Sequence, residues 1–560
     1  MAHGFFKSAF VYSSLAAVCG LVLLCSCSTE KYKAEADKQS YEIIDAAWHE
    51  DFGPQVNYKI SDVLPAAGSI VDSNVPADGV ITLPKAVELA TAYNRDYQRQ
   101  KELLYLSALD LTGVMHDYEM QWFGTVDFTY LKQLESENVT YPIRDGAGNV
   151  TGTYSNVNYS TEERLAKSDA LGFSQLLADG TQIGVAIALD WSRFLTGDPR
   201  ESLTSVLTAT ISKPLLRGAG RTVALEALTQ AQRNVLYQVR AFSRYRKTFV
   251  VSIVNDYYRV LQRRDEVKNA ESNYERRGQS VDRLKMEAEA GRRNRFEVDQ
   301  AVQDWLRAKD SLVSAQERYS QSLDEFKIRL ALPTDANIVL DPNALKQLEQ
   351  VVITEVPFGL EEAVDFAIAN RLDLATSADL VDDAERKVAV AENNLGAELN
   401  LVASAEVDST GRSRIGRLPV HLGDYALGLE ADLPLDRLAE RNAYRESLIS
   451  FTQAQRQYDL DRDTTALEVR NAYRQLSEAA QRYQIQKNSL ELAQKRVEST
   501  TMLLQEGRAS TRDLLESQDA LLEAQNNVTA TLIDHAIAKL NFYRDIGVLQ
   551  VRPDGMWQED

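Results

Sequence analysis

Residues able to do chemistry are few in this chain and unevenly placed. All three cysteines, Cys19, Cys25 and Cys27, fall before residue 28. A thiol can form a disulfide, bind a soft metal, attack a substrate or be acylated, and beyond Cys27 no thiol remains to do any of these. Four histidines follow, His49, His116, His421 and His535. Their scatter fits neither a metal-ligand spacing nor a nucleophile-base arrangement. Gly218-Ala219-Gly220 lacks the Gly-Lys-Ser/Thr that completes a phosphate loop. No catalytic residue, metal or cofactor is therefore expected. Carboxylates remain: Asp513 and Glu516 lie three apart, on one face of any helix that carries them, and Glu297 sits in a related context.

The cysteines point to acylation. Lys7 is the only basic residue before Lys31 apart from histidine, and an apolar run over residues 9–24 follows it. This is the pattern of an export signal, too broken by Ser13, Ser14 and Gly20 for a membrane anchor. Leu24-Cys25-Ser26-Cys27 resembles the bacterial lipobox, which implies cleavage between Ser26 and Cys27 and lipid on Cys27. An ordinary signal peptide with incidental cysteines is the alternative. Ser28, where an aspartate would favour the inner membrane, directs the expectation to the outer one. The Asn-Val-Thr runs at Asn138, Asn149 and Asn527 match a glycosylation pattern that a bacterial lipoprotein would seldom use. A formal charge of −20 with no basic patch excludes nucleic acid as a partner. After Leu24 no segment is apolar enough to span a bilayer as a helix, so any crossing must use strands of about 10 residues.

The elements that must position these residues come in two copies. "LPKAVELATAYNRDY" from Leu83 aligns without gaps on "LEEAVDFAIANRLDL" from Leu360. "KPLLRGAGRTVALEAL" from Lys213 matches "LPLDRLAERNAYRESL" from Leu433. Asn255-Asp256-Tyr257 and Asn471-Ala472-Tyr473, Gly291-Arg292 and Gly507-Arg508, and Ala308 and Ala524 then recur at one constant offset. Each copy opens with a predicted helix, over residues 83–120 and 360–395. Strand-like alternation follows: "GTVDFTYL" from Gly124, "GTQIGVAIALDW" from Gly180 and "SVLTATIS" from Ser205 in the first copy, "ELNLVASAEV" from Glu398 and "DYALGLEADL" from Asp424 in the second. Residues 135–168, polar and rich in Gly, Asn and Ser, read as an exposed loop. Long helical rods come next. Residues 222–332 hold no proline and are broken only by Gly278 and Gly291; residues 435–546 are broken only by Gly507. Pro214 and Pro434 stand where strand becomes rod, as structural hinges. Leu514, Leu521 and Val528, with Leu515, Leu522, Thr529 and Ala536 beside them, make two adjacent stripes. These suit a helix with a neighbour on each side, as in a closed cylinder; a two- or four-helix bundle is the alternative.

This order, from lipobox to second copy, resembles the TolC-type outer-membrane efflux protein family over residues 81–549. Its most specific piece is "QEGRASTRDLLESQDALLEAQ" from Gln505, similar to the family's helix-turn-helix tip, with Gly507, Asp513, Leu514, Leu515, Glu516 and Ser517 at the matching positions. "AGRRNRFEVDQA" from Ala290 is a weaker version, with Gly291, Glu297 and Gln300. The resemblance implies an α+β fold: a tandem-repeat protomer of a trimeric outer-membrane β-barrel continuous with a long periplasmic α-helical barrel. Four strands from each of three chains would close the barrel that one chain cannot. With three candidate strands in the first copy rather than two, one is expected to be a loop or an extra hairpin element.

The implied domains are a signal peptide (1–26), an anchored segment (27–80), a first repeat (81–332), a linker (333–359), a second repeat (360–549) and a tail (550–560). The implied partners are two further copies, outer-membrane lipid, a periplasmic adaptor and an inner-membrane pump. The implied function is an exit duct for efflux or type I secretion, not an enzyme. Asp513, Glu516 and Glu297 become candidates for a carboxylate ring at a pore constriction, or else solvated surface charges. Gly291, Arg292, Gly507 and Arg508 would meet the adaptor. A periplasmic adaptor lipoprotein, or a structural coiled-coil lipoprotein, is the alternative reading.

Overall fold

A computed structural model describes residues 28–49, 52–61, 70, 75–76, 78–146, 148–196, 201–350, 359–409, 418–433, 435–552 and 557–558. Ser26, Cys27 and Pro434 lie outside them. The chain divides into two units, one from residues 1–109, 234–380 and 454–560, the other from residues 110–233 and 381–453.

The first unit is helical. α1 (Thr29–Ala47) precedes a helix pair, α2 (Leu83–Tyr93) and α3 (Arg95–His116), the latter running on into the second unit. The sequence predicts one helix here, but Asn94 breaks it. Its Oδ1 accepts from the backbone N–H groups of Asp96 and Tyr97 at 2.9 and 3.1 Å, so it caps the helix that follows. The second copy breaks at the matching Arg371, between α7 (Leu360–Asn370) and α8 (Leu372–Asn394). Buried Arg371 is held there by Asp373 at 2.7 Å and Glu468 at 2.6 Å.

The rods are two hairpins. α4 (Glu226–Glu289, 64 residues) turns into α5 (Arg295–Arg329, 35 residues), and α9 (Leu438–Gln505, 68 residues) turns into α10 (Thr511–Asp545, 35 residues). At 1.5 Å per residue the longest members reach about 100 Å. Apolar residues at helical spacing bury one stripe of each. Tyr97, Phe242 and Phe249 form an aromatic core in the first copy, with ring centroids 5.7 and 5.1 Å from Tyr97. Ala363, Val364, Ala367, Val469, Phe542 and Ile546 close the equivalent core in the second. Between the copies, the expected linker contains regular elements. β6 (Val339–Leu340) pairs in parallel with β1 (Val80–Ile81), and α6 (Ala344–Gln350) follows.

The second unit holds a six-stranded antiparallel sheet in the order β2 (Gln121–Arg144), β3 (Val150–Leu176), β4 (Gln182–Phe194), β5 (Glu201–Pro214), β7 (Glu398–Asp408), β8 (Asp424–Asp432). This corrects two expectations. The first copy supplies four strands, not two or three. Residues 135–168 are not a loop: they form most of the β2–β3 hairpin, paired from Gln121–Ser174 to Arg144–Val150 with one register shift near its turn. Polar composition misleads there because the outer arms of the hairpin are exposed on both faces and need no alternation.

Register sorts the sheet into two faces, since directly paired residues share a side. One rung runs Trp122, Phe173, Val185, Ala209, Ala405, Tyr425 across all six strands. The next runs Gln121, Ser174, Gly184, Thr210, Ser404, Ala426. Apolar and polar rungs thus alternate. On the polar side Gly172 admits the ring of Phe123, whose Cζ would lie 2.7 Å from an added Cβ. Pro214 is the last residue of β5, opposite Asn400, and beyond it the N–H groups of Leu215 and Arg217 still reach the Leu399 and Ala397 carbonyls at 2.7 and 3.2 Å.

Candidate functional site: two helical turns

The two rod hairpins turn in the same way. Gly291 and Gly507 adopt φ of +72° and +71°, a region that a side chain penalises. At the first turn the N–H of Arg292 reaches the Glu287 carbonyl at 2.8 Å and that of Gly291 the Ala288 carbonyl at 3.0 Å. At the second, Arg508 reaches Leu503 at 2.8 Å and Gly507 reaches Leu504 at 3.1 Å. This paired pattern is a Schellman cap, satisfying carbonyls that the helix end orphans. The Gly-Arg repeat singled out in the sequence is therefore a helix stop. Arg292 and Arg508 are exposed beside it, Arg508 4.0 Å from Glu506.

The three candidate carboxylates have three different partners. Asp513 closes a capping box: its Oδ2 accepts from the Ser510 N–H at 2.9 Å and hydroxyl at 2.6 Å, while its own N–H donates to the Ser510 Oγ at 3.2 Å. The Ser510 hydroxyl, then its N–H, hold this exposed carboxyl below its ordinary value. Glu516 forms an exposed pair with Arg496 across the α9–α10 hairpin at 2.9 Å. Glu297 crosses between hairpins: its Oε2 accepts from the Thr511 hydroxyl at 2.9 Å and lies 3.3 Å from Arg293.

Arg293 is the residue that sequence reading missed. Its side chain, 18% exposed, also reaches Glu287 at 3.1 Å and donates to the Leu504 carbonyl at 3.2 Å. Arg293 and Glu297 thus tie the α4–α5 turn to both sides of the α9–α10 turn. The signal was its i,i+4 spacing from Glu297; the cross-hairpin contacts are tertiary. Apolar side chains surround this knot in the open. Phe296 is 76% exposed, and Met286 and Met502 are exposed as well.

Among the described residues no group of three or more His, Cys, Asp or Glu could hold a metal, and no helix is long and apolar enough to cross a membrane. Buried His535 is pushed below its ordinary pKa by desolvation, and His116 lies 3.5 Å from Glu119 at the surface.

The fold is thus a six-stranded sheet with one apolar and one polar face, built by two repeats that each carry a long helical hairpin. Residues 363–547 match the outer membrane efflux protein family. The chain has the TolC-type fold, and the family match lies within its second repeat. Among solved structures it is similar to the outer membrane protein VceC of Vibrio cholerae, at 14% identity and TM-score 0.58, covering 83% of this chain and 96% of that one. It is similar to the CmeC outer membrane channel of Campylobacter jejuni, at 14% identity and TM-score 0.56, covering 91% and 93%. The MtrE outer membrane channel of Neisseria gonorrhoeae, in its open state, gives 12% identity and TM-score 0.57, covering 88% and 97%. No curated protein sequence matches the chain. The fold is that of solved outer-membrane channel proteins.

Proposed function

We infer that the chain is the outer-membrane exit duct of a tripartite efflux or type I secretion system. It acts as a homotrimer, fed by an inner-membrane pump through a periplasmic adaptor. The observation that carries this reading is the two-faced sheet: an apolar rung through six strands suits lipid, and the polar rung beside it suits a water-filled lumen. Cys27 anchors the chain to outer-membrane lipid after cleavage behind Ser26. The rod turns at Gly291-Arg292 and Gly507-Arg508 form the periplasmic tip, and exposed Phe296 and Met502 beside them suit an adaptor's apolar helical surface. Asp513, Glu516 and Glu297 line the tip gate, with Glu297 acting through the Arg293 knot. Pro214 and Pro434 redirect the chain between strand and rod.

Purified protein in planar bilayers tests the reading. Trimers giving cation-preferring channels are expected; monomers without conductance would overturn it.

A further inference from the structure

The first repeat is longer than the second, and the excess falls in one place. The copies align at Leu83 and Leu360, 277 residues apart, and again at Lys213 and Leu433, 220 apart. The first copy therefore holds 57 more residues between those two points. β2, β3 and their turn occupy residues 121–176 of that interval. β4 and β5 then correspond to β7 and β8, and the β2–β3 hairpin is the added element.

The addition lies in the sheet. β3 pairs with β4 from Leu176–Gln182 to Arg164–Phe194, and the rungs of the sheet continue into the hairpin. On β2 the apolar side carries Trp122, Val126, Phe128 and Tyr130, while Thr125, Asp127 and Thr129 take the other. From Trp122 to Tyr130 is the nine or so residues that a tilted strand needs to cross a bilayer, with an aromatic ring at each end as at two interfaces. Lys167 and Asp169 interrupt the apolar side, but they neutralise each other at 2.6 Å, with Lys167 over the Phe128 ring.

We propose that this hairpin is part of the membrane wall, so that β2 bonds β8 of a second copy and three copies close an eighteen-stranded barrel. The inference rests on the trimeric channel reading above. β2 and β8 are the two ends of the sheet, and each leaves a row of backbone groups that hydrocarbon cannot satisfy. Six strands are too few to close alone. Neighbours alternate in direction along all six, so β2 and β8 run oppositely and their junction between copies keeps the antiparallel order. Without the hairpin, β4 would be the edge and three copies would close with twelve strands. Eighteen strands enclose an aqueous channel of porin width.

The full chain has no cysteine after Cys27, which permits a crosslinking test in outer membranes. Thr125→Cys, Asp127→Cys and Thr129→Cys, each combined with Gly428→Cys, scan three registers of the β2–β8 junction. Ala188→Cys with Gly428→Cys probes a β4–β8 junction instead. At least one β2–β8 pair is expected to convert most of the protein into a reducible covalent trimer, and the Ala188 pair none. Capture through Ala188→Cys, or through no pair while native trimers persist, overturns the eighteen-stranded wall. Absence of trimers from the unsubstituted protein overturns the channel reading itself.

Discussion

Arg293→Met is the perturbation that the tip geometry makes most informative. It keeps an unbranched apolar stem but removes the side chain's bonds to the Leu504 carbonyl, Glu287 and Glu297. Two links join the hairpins here, Arg293 to Leu504 and Thr511 to Glu297. Hydrogen bonds to charged groups contribute about 1.5–3 kcal/mol each, and the partial exposure of both side chains favours the lower end. Losing the first link and loosening the second, whose carboxylate Arg293 positions, costs the joined state about 2–3 kcal/mol. If separation of the hairpins opens the tip, the closed-to-open ratio falls by roughly 30- to 150-fold. Single-channel recording in planar bilayers reads that ratio as open probability, and uptake of a large antibiotic reads it in cells. Glu297→Gln and the double variant complete a cycle, in which the two effects should add to less than their sum. Unchanged open probability in Arg293→Met, with trimer stability intact, would refute the knot as a closing device.

Two further outcomes follow from single residues. Gly291→Ala and Gly507→Ala place a side chain at φ near +70° where nothing lies within 4 Å, so the cost is conformational alone, about 1 kcal/mol each; thermal melting of the two variants should drop by similar amounts. Burial pushes the Lys101 ammonium down to about 8 from its ordinary 10.5. Between those values the unfolded chain binds the extra proton, so stability climbs as pH rises from 8 to 10.5 and is flat below 8. Lys101→Met should remove that slope and stabilise the protein at pH 7 by up to about 3 kcal/mol; a denaturation series that keeps the slope would contradict the assignment.

The rods were legible because their signals are local: long proline-free stretches, two glycines at equivalent stops, and leucines repeating at seven. Strands β4, β5, β7 and β8 were legible for a similar reason, since one side of each is apolar and the other polar. Residues 135–168 were not, because the hairpin's outer arms bond only to each other and bury neither face. Nothing in their composition distinguishes such a ribbon from a loop. The breaks at Asn94 and Arg371 were hidden by a different cause. Helical periodicity runs through both, and the break depends on what each side chain bonds: Asn94 caps the next helix, and Arg371 joins Glu468 on a distant rod.

The duplication itself explains why two carboxylates at equivalent positions have different work. At the offset of 216 residues that relates Gly291 to Gly507, Asn294 corresponds to Ser510 and Glu297 to Asp513. Both carboxylates therefore occupy the third position of their helices, where a capping box would place them. In the second copy the box forms, because Ser510 offers a hydroxyl that donates to Asp513 and accepts from its N–H. In the first copy Asn294 makes no side-chain cap, and Glu297, one methylene longer, reaches away from its own helix to Thr511 and Arg293. The same position thus serves as a local helix stop in one hairpin and as a bond between hairpins in the other. Asp513 is committed to its own turn whatever the hairpins do relative to each other; only Glu297 has a partner, Thr511, to lose when they part. Of the two equivalent positions, the first-copy carboxylate is the one able to report or control that movement.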